Sequence, residues 1–145
     1  MTATAAAVAA APKRPMSQFC GFAVSFAPDP ARVVLVRRTT AARLRMWGVP
    51  CALAEDIVVA VSELATNAVQ HGFGDVVLKV ERVGAGLLRI AVSDGNPAPA
   101  ELRLAAEGDV SGRGLFLVAA FAENWGVSDG GKTTWCIFRL PSGRP

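Results

Sequence analysis

Charge, cysteine and long apolar runs are all scarce in this chain, and each shortage removes a class of function. Only 19% of its 145 residues are charged, against 52% hydrophobic, and the mean hydropathy of +0.36 excludes general disorder. No apolar run approaches the ~20 residues that a membrane-spanning helix needs. The three cysteines, Cys20, Cys51 and Cys136, are odd in number and far apart, with no Cys-x-x-Cys or Cys/His spacing. Neither a zinc site nor a disulfide framework is supported. A net charge of +3 and a pI near 9.1 are mild, and the basic residues form no Lys/Arg run interleaved with aromatics, which argues against direct nucleic-acid binding. Arg32, Arg37, Arg38, Arg43 and Arg45 do crowd one predicted helix, but they scatter around it as a solvated surface would; a surface for an acidic partner is the other reading. Internal repeats and linkers are also missing.

What remains is a chain long enough for one domain that buries roughly 70% of its unfolded surface without disulfides or metal. The expected division is a flexible Ala-rich tail over 1–16, a domain over 17–141 and a short tail over 142–145. Lys13 and Arg14 follow the Ala run instead of preceding it, the wrong order for a secretory signal. Together with the cysteine usage, this favours the reducing cytoplasm.

Residues 19–26 alternate around small residues and stop at Pro28-Asp29-Pro30, which predicts a strand and then a helix capped by Asp29 with Pro30 in its first turn. That helix is expected to run to Trp47, where Gly48 suits the left-handed C-terminal position. A second helix is expected over 52–70, ending at His71-Gly72. Two β-rich runs, 76–83 and 87–93, are joined by Gly84-Ala85-Gly86 as a hairpin, leaving Asp94 at its end. Residues 95–111 read as a long loop with one short helical turn around 101–107, and such loops often serve as lids. A helix over 115–123 follows Gly112-Arg113-Gly114, and 125–128 and 133–140 form a second hairpin about Asp129-Gly130-Gly131. This order, β-α-α-β-β-loop-α-β-β, defines an α+β two-layer domain with helices packed on one sheet face.

Within the second helix, Leu53, Ile57, Val61, Leu64 and Ala68 make an apolar stripe, and Glu63, Asn67 and His71 recur at four-residue steps beside it. Each step turns about 40° around the axis, so a carboxylate, a carboxamide and an imidazole share one edge. A solvated helix face normally carries Lys and Glu. Small or apolar neighbours here suggest polar groups turned toward a pocket, although a plain solvated edge has the same spacing. Taken singly, Asp94 is a plain turn residue, the glycines at 112 and 114 are a weak phosphate signal, and Thr133 and Thr134 are ordinary strand formers. Trp47, Trp125 and Trp135 read as core or its rim.

In chain order, however, SELATNAVQHG (62–72), VSDGNPAP (92–99), SGRGLFLV (111–118) and WGVSDGGKTTW (125–135) resemble the ATPase domain shared by bacterial histidine kinases, DNA gyrase-type ATPases, Hsp90 and MutL. The resemblance covers about residues 17–140. Within that superfamily the chain is similar to the small stand-alone anti-sigma-factor serine/threonine kinases of bacteria, an expectation drawn from a domain that starts near residue 16 with no phosphoacceptor-histidine or sensor module.

The resemblance implies a Bergerat-type ATP-binding fold, a two-layer α/β sandwich whose sheet is mixed and mostly antiparallel. It implies an ATP-binding regulatory protein: an anti-sigma factor with serine/threonine kinase activity toward an anti-sigma-factor antagonist. ATP and Mg²⁺ are the expected cofactors, the sigma factor and the antagonist the expected partners, and homodimer formation is a family expectation. By likeness Asn67 is the Mg²⁺ ligand, a neutral oxygen suited to a hard cation that keeps several waters, and Glu63 is the general base. The acceptor-only carboxylate of Asp94 suits the exocyclic amine of adenine, with Gly95 beside it. Gly112, Arg113, Gly114 and Leu115 would meet phosphate at a helix start, and Lys132 with Thr133 or Thr134 would face the nucleotide from the last strand. His71 is an accessory residue. One departure stands out: the family's adenine segment reads Asp-x-Gly-x-Gly, whereas Asn96 and Ala98 replace both later glycines, so the backbone must take a different path. Two further readings stay open: a non-catalytic partner-switching module with nucleotide as ligand only, and a detached histidine-kinase catalytic domain.

Overall fold

The computed structural model describes residues 21–95, 118 and 120–141. The expected tails, most of the lid-like loop, Cys20 and Gly112, Arg113, Gly114 and Leu115, which are expected to meet phosphate, lie outside the described residues.

Helix α1, Pro30–Met46, begins where its signals predict. The Asp29 carboxylate accepts the Ala31 N–H at 3.0 Å, satisfying one of the unpaired donors of the first turn. At the other end the Gly48 N–H donates to the Arg45 carbonyl at 3.1 Å and the Val49 N–H to the Leu44 carbonyl at 3.0 Å. With Gly48 at φ 76, these are the paired bonds of a Schellman cap. The helix buries Val33, Val36, Thr40 and Leu44, spaced by three or four residues along one stripe. Thr40 is tolerated there because its hydroxyl donates to the Val36 carbonyl at 2.8 Å. Arg32, Arg37, Arg38 and Arg45 are exposed, whereas Arg43 lies over the Phe22 ring, 5.1 Å from its centroid.

Helix α2, Cys51–His71, buries Ile57, Ala60, Val61, Leu64, Ala65, Asn67 and Ala68. The predicted stripe is therefore the core face, with Leu53 packed at its edge. α2 packs against α1 on one side and against the sheet on the other.

The sheet comprises β1 (Gly21–Phe26), β2 (Val76–Val83), β3 (Leu87–Ser93), β4 (Asn124–Ser128) and β5 (Thr133–Arg139), in the order β1-β2-β3-β5-β4. Every described pairing is antiparallel. The chain leaves β3, returns at the edge as β4, and turns through Asp129–Gly131 so that β5 inserts between them. Residues 118, 120 and 121 are helical, within the helix expected over 115–123.

Register decides which side chains meet the helices. Val80 stands opposite Ile90 and Leu78 opposite Val92, while Ile90, Val92 and Leu88 face Cys136, Thr134 and Phe138. Directly paired residues share a sheet face, so these residues form one layer beneath α1 and α2. Leu44, Ile57, Leu64, Leu78, Leu88, Ile90 and Phe138 are almost fully buried, and each such side chain contributes about 1.5–3 kcal/mol. The other face carries Val77, Lys79, Arg89, Ala91, Ser93, Thr133 and Trp135. Among the described residues, no helix is long and apolar enough to cross a membrane.

Candidate functional site

Three chain segments converge where α2 and β3 end and β5 begins. The Gly95 N–H donates to the Phe73 carbonyl at 2.7 Å, tying the exit of α2 to the exit of β3. The Asp94 N–H donates to the Lys132 carbonyl at 2.9 Å, tying β3 to the turn before β5. Gly72 closes the junction sterically: a Cβ there would lie 2.6 Å from Asp94 Cγ and would collide with the Ala68 carbonyl oxygen. The Asp94 carboxyl is thereby seated against the C-terminal end of α2, half-buried.

Asn67 lies five residues before Gly72, about 7.5 Å along the helix axis. Its side chain is only 2% exposed, and its Oδ1 is buried with no hydrogen-bond partner among the described residues. A buried acceptor left unpaired costs about 1–3 kcal/mol, so a well-packed helix that keeps one is either wasteful or awaiting a ligand. Glu63 and His71, one turn before and one turn after, are half-buried on the same edge. Among the described residues, no three His, Cys, Asp or Glu side chains converge on a metal position. A cation here would meet Asn67 with water or ligand oxygens rather than a protein cage, the arrangement that Mg²⁺ accepts. The orphaned carboxamide oxygen fits that donor set.

The two threonines expected at the site are separated by strand register. Thr134, opposite Val92, is buried on the helix-facing side, at 7% exposure. Thr133 pairs with Ser93 on the opposite face, where its hydroxyl donates to Asp129 Oδ2 at 2.6 Å and lies 2.8 Å from Ser93 Oγ. Lys132 is exposed, with its backbone carbonyl engaged by Asp94. The structure thus seats Asp94 against the C-terminal end of the helix that carries Glu63 and Asn67, ties Gly95 to the exit of that helix, and sets Thr134 on the helix-facing side of β5 while Thr133 takes the opposite face. Sequence reasoning missed Gly72, Ser93 and Asp129 as structural members. Gly72 was visible only as a helix stop and Asp129 only as a hairpin-turn residue.

A cavity of about 540 Å³ opens elsewhere, between the C-terminal half of α1 and the N-terminal half of α2, lined by Ala41, Arg45, Val49, Cys51, Glu55 and Val58 among others. It does not touch the Glu63–Asn67–Asp94 edge. The orphaned polar atom and the three-segment junction mark the site better than volume does, because part of the wall expected to enclose it lies outside the described residues.

A two-layer α+β sandwich whose carboxamide-bearing helix ends against a strand-end aspartate suits an ATPase-type domain, and the family comparison assigns that class. The histidine kinase-like ATPase domain model matches residues 26–138, and the chain belongs to that family. Among 13 matching chains of solved structures is the crystal structure of the RsbU and RsbW domains of Rv1364c from Mycobacterium tuberculosis. It is similar with a TM-score of 0.61 and 23% identity, over 86% of this chain and 33% of that one. This chain therefore spans about a third of that relative, and the likeness is one of fold. No curated protein matches.

Proposed function

We propose that this chain binds ATP with Mg²⁺ and phosphorylates a serine or threonine of a partner protein, as an anti-sigma-factor kinase acting on an anti-sigma-factor antagonist in the cytoplasm. In its unswitched state the same domain would hold the sigma factor. The observation that carries this reading is the buried, unpartnered Oδ1 of Asn67 in a chain of the histidine kinase-like ATPase family. The four motifs in family order support the kinase assignment.

Asn67 would hold Mg²⁺, which supplies charge neutralisation at the phosphates. Asp94 accepts the exocyclic amine of adenine, and Thr134 adds a hydroxyl on the same side of the sheet. Glu63, one turn before Asn67, takes the proton of the attacking hydroxyl as the γ-phosphorus exchanges its bond to the bridging oxygen for one to the serine oxygen. Gly112, Arg113, Gly114 and Leu115, outside the described residues, would receive the phosphates, and the exposed Lys132 would face the nucleotide beside them. Most of the rate enhancement would come from positioning and charge stabilisation.

Calorimetric titration with ATP and ADP, with and without Mg²⁺, tests the reading. Magnesium-strengthened binding is expected in wild type and its loss in Asn67→Ala; a folded wild type that binds no nucleotide would overturn it. Incubation with ATP and a candidate antagonist should then give acid-stable phosphoserine or phosphothreonine, whereas acid-labile phosphate would indicate a histidine acceptor. The replacement of two family glycines by Asn96 and Ala98 favours a second reading, a partner-switching module that uses nucleotide only as a conformational ligand. In that case partner binding persists in Glu63→Ala and no phosphorylated product forms.

A further inference from the structure

The turn between β4 and β5 carries a strained residue with an unusually complete set of bonds. Asp129 sits at φ 56, the sole non-glycine with positive φ among the described residues. A side chain crowds the backbone in that region, and Asp and Asn are among the residues that tolerate it. Two bonds hold it there. Its Oδ2 accepts the Thr133 hydroxyl proton at 2.6 Å, and its carbonyl accepts the Lys132 N–H at 3.2 Å.

The bonds continue toward the site. Because the only hydroxyl proton of Thr133 goes to Asp129, the 2.8 Å contact with Ser93 must be donated by Ser93. Ser93 directly precedes Asp94, and the Asp94 N–H is itself bonded to the Lys132 carbonyl at 2.9 Å. Asp129 and Asp94 are thus joined by two routes, one through the Thr133 and Ser93 hydroxyls and one through the Lys132 peptide. Thr133 is only 5% exposed, so water cannot readily replace the shared hydroxyl, and the chain stiffens as a unit.

We infer that Asp129 is a positioning residue for nucleotide selection: its carboxylate fixes the β4–β5 turn through Thr133, and the turn sets the height of Asp94 at the end of β3. This rests on the proposed role of Asp94 in accepting the adenine amine. Asp129 acts through Thr133, which lies on the opposite sheet face from Thr134.

The test compares ATP with ITP, which replaces the exocyclic amine by an oxygen, in calorimetric titrations of the full chain. It is paired with hydrogen exchange at the Asp94 amide in the nucleotide-free protein. Wild type is expected to prefer ATP by tenfold or more, on the order expected where a hydrogen-bonding site loses its partner. Asp129→Asn should retain the preference, because its amide oxygen accepts from Thr133 and Asn tolerates the left-handed backbone. Asp129→Gly keeps the turn free of strain but removes the acceptor. It should shrink the preference to about twofold and speed Asp94 amide exchange about tenfold. A merely structural role would weaken ATP and ITP equally and leave their ratio intact. An unchanged ratio and unchanged Asp94 protection in Asp129→Gly would overturn the positioning role alone. A wild type that binds both nucleotides without preference would instead overturn the adenine role of Asp94 on which it rests.

Discussion

The Asp94 carboxyl rests against the Cα of Gly72: a Cβ added at Gly72 would stand 2.6 Å from Asp94 Cγ and 2.7 Å from Oδ2. It would also strike the Ala68 carbonyl, the acceptor of the Gly72 N–H at 2.8 Å. Neither neighbour can yield cheaply, since one closes the last turn of α2 and the other is tethered by its own N–H to Lys132. Gly72→Ala should therefore destabilise the domain by about 1–3 kcal/mol, the usual cost of overpacking, and weaken ATP binding about tenfold by displacing Asp94. Urea unfolding and calorimetry measure the two effects. Unchanged ATP affinity in a destabilised variant would remove Asp94 from the binding determinants.

Asn67 should behave differently, losing function without losing much stability. Truncating a buried side chain normally costs packing, but here it also removes an acceptor whose desolvation is uncompensated, a relief of about 1–3 kcal/mol. The two effects oppose each other, so Asn67→Ala should unfold within about 1 kcal/mol of wild type while its magnesium-dependent nucleotide binding falls at least about tenfold. A large loss of stability would show that Oδ1 is satisfied in the folded protein, and the metal assignment would lose its main support.

Glu63 separates binding from chemistry. It shares the helix edge of Asn67, one turn earlier, and is half-buried. Glu63→Gln keeps the shape and removes the proton acceptor, so nucleotide affinity should change by less than about threefold while phosphoryl transfer falls about 10²–10⁴-fold. Single-turnover transfer to the antagonist measures this directly. Transfer at the wild-type rate would assign the proton to water or to the partner.

These effects trace back to signals of differing range. The caps of α1 and the stripe of α2 were readable because Asp29, Pro30, Gly48 and the 57-61-64-68 spacing act within a few residues of one another. The same holds for the Glu63–Asn67 edge, which needs only the helical period. The sheet order was not readable: inserting β5 between β3 and β4 depends on pairing between segments far apart in the chain. Which threonine faces the helices hangs on that register, since a slip of one residue exchanges the two faces. Both expected threonines thus looked equivalent until Thr134 was found opposite Val92 and Thr133 opposite Ser93. The link from Asp129 to Ser93 is likewise a tertiary product, its hydroxyl contact spanning 40 residues. The contact between Gly72 and Asp94 is another, and no local pattern marks either.

Burial gives Cys136 a pH signature. It lies on the helix-facing side of β5 opposite Ile90, fully buried, and burial pushes its thiol up from 9.0 to about 12 despite the opposing charge of Arg89. Burial disfavours the thiolate, so the folded state binds this proton more tightly than the unfolded state does. The folded pKa is raised; its stabilising contribution is therefore complete below about pH 9 and is lost as pH rises toward about 12. Over that window the loss from this group amounts to roughly 4 kcal/mol, about 1.4 kcal/mol for each pH unit. Cys136→Ala should flatten the fall in urea-unfolding free energy between pH 9 and 11, even though the small cavity lowers its stability at pH 7. Alkylation at pH 8 offers a second measure, since the nucleophile is the thiolate. Cys51 is exposed and Cys136 buried, so peptide mapping should show Cys51 modified in the native protein and Cys136 only on unfolding, at least about a hundredfold more slowly. Equal rates would show that the β3–β5 layer opens freely. The strand register that sets Thr134 opposite Val92 on the helix-facing side would then be too labile to serve the proposed site.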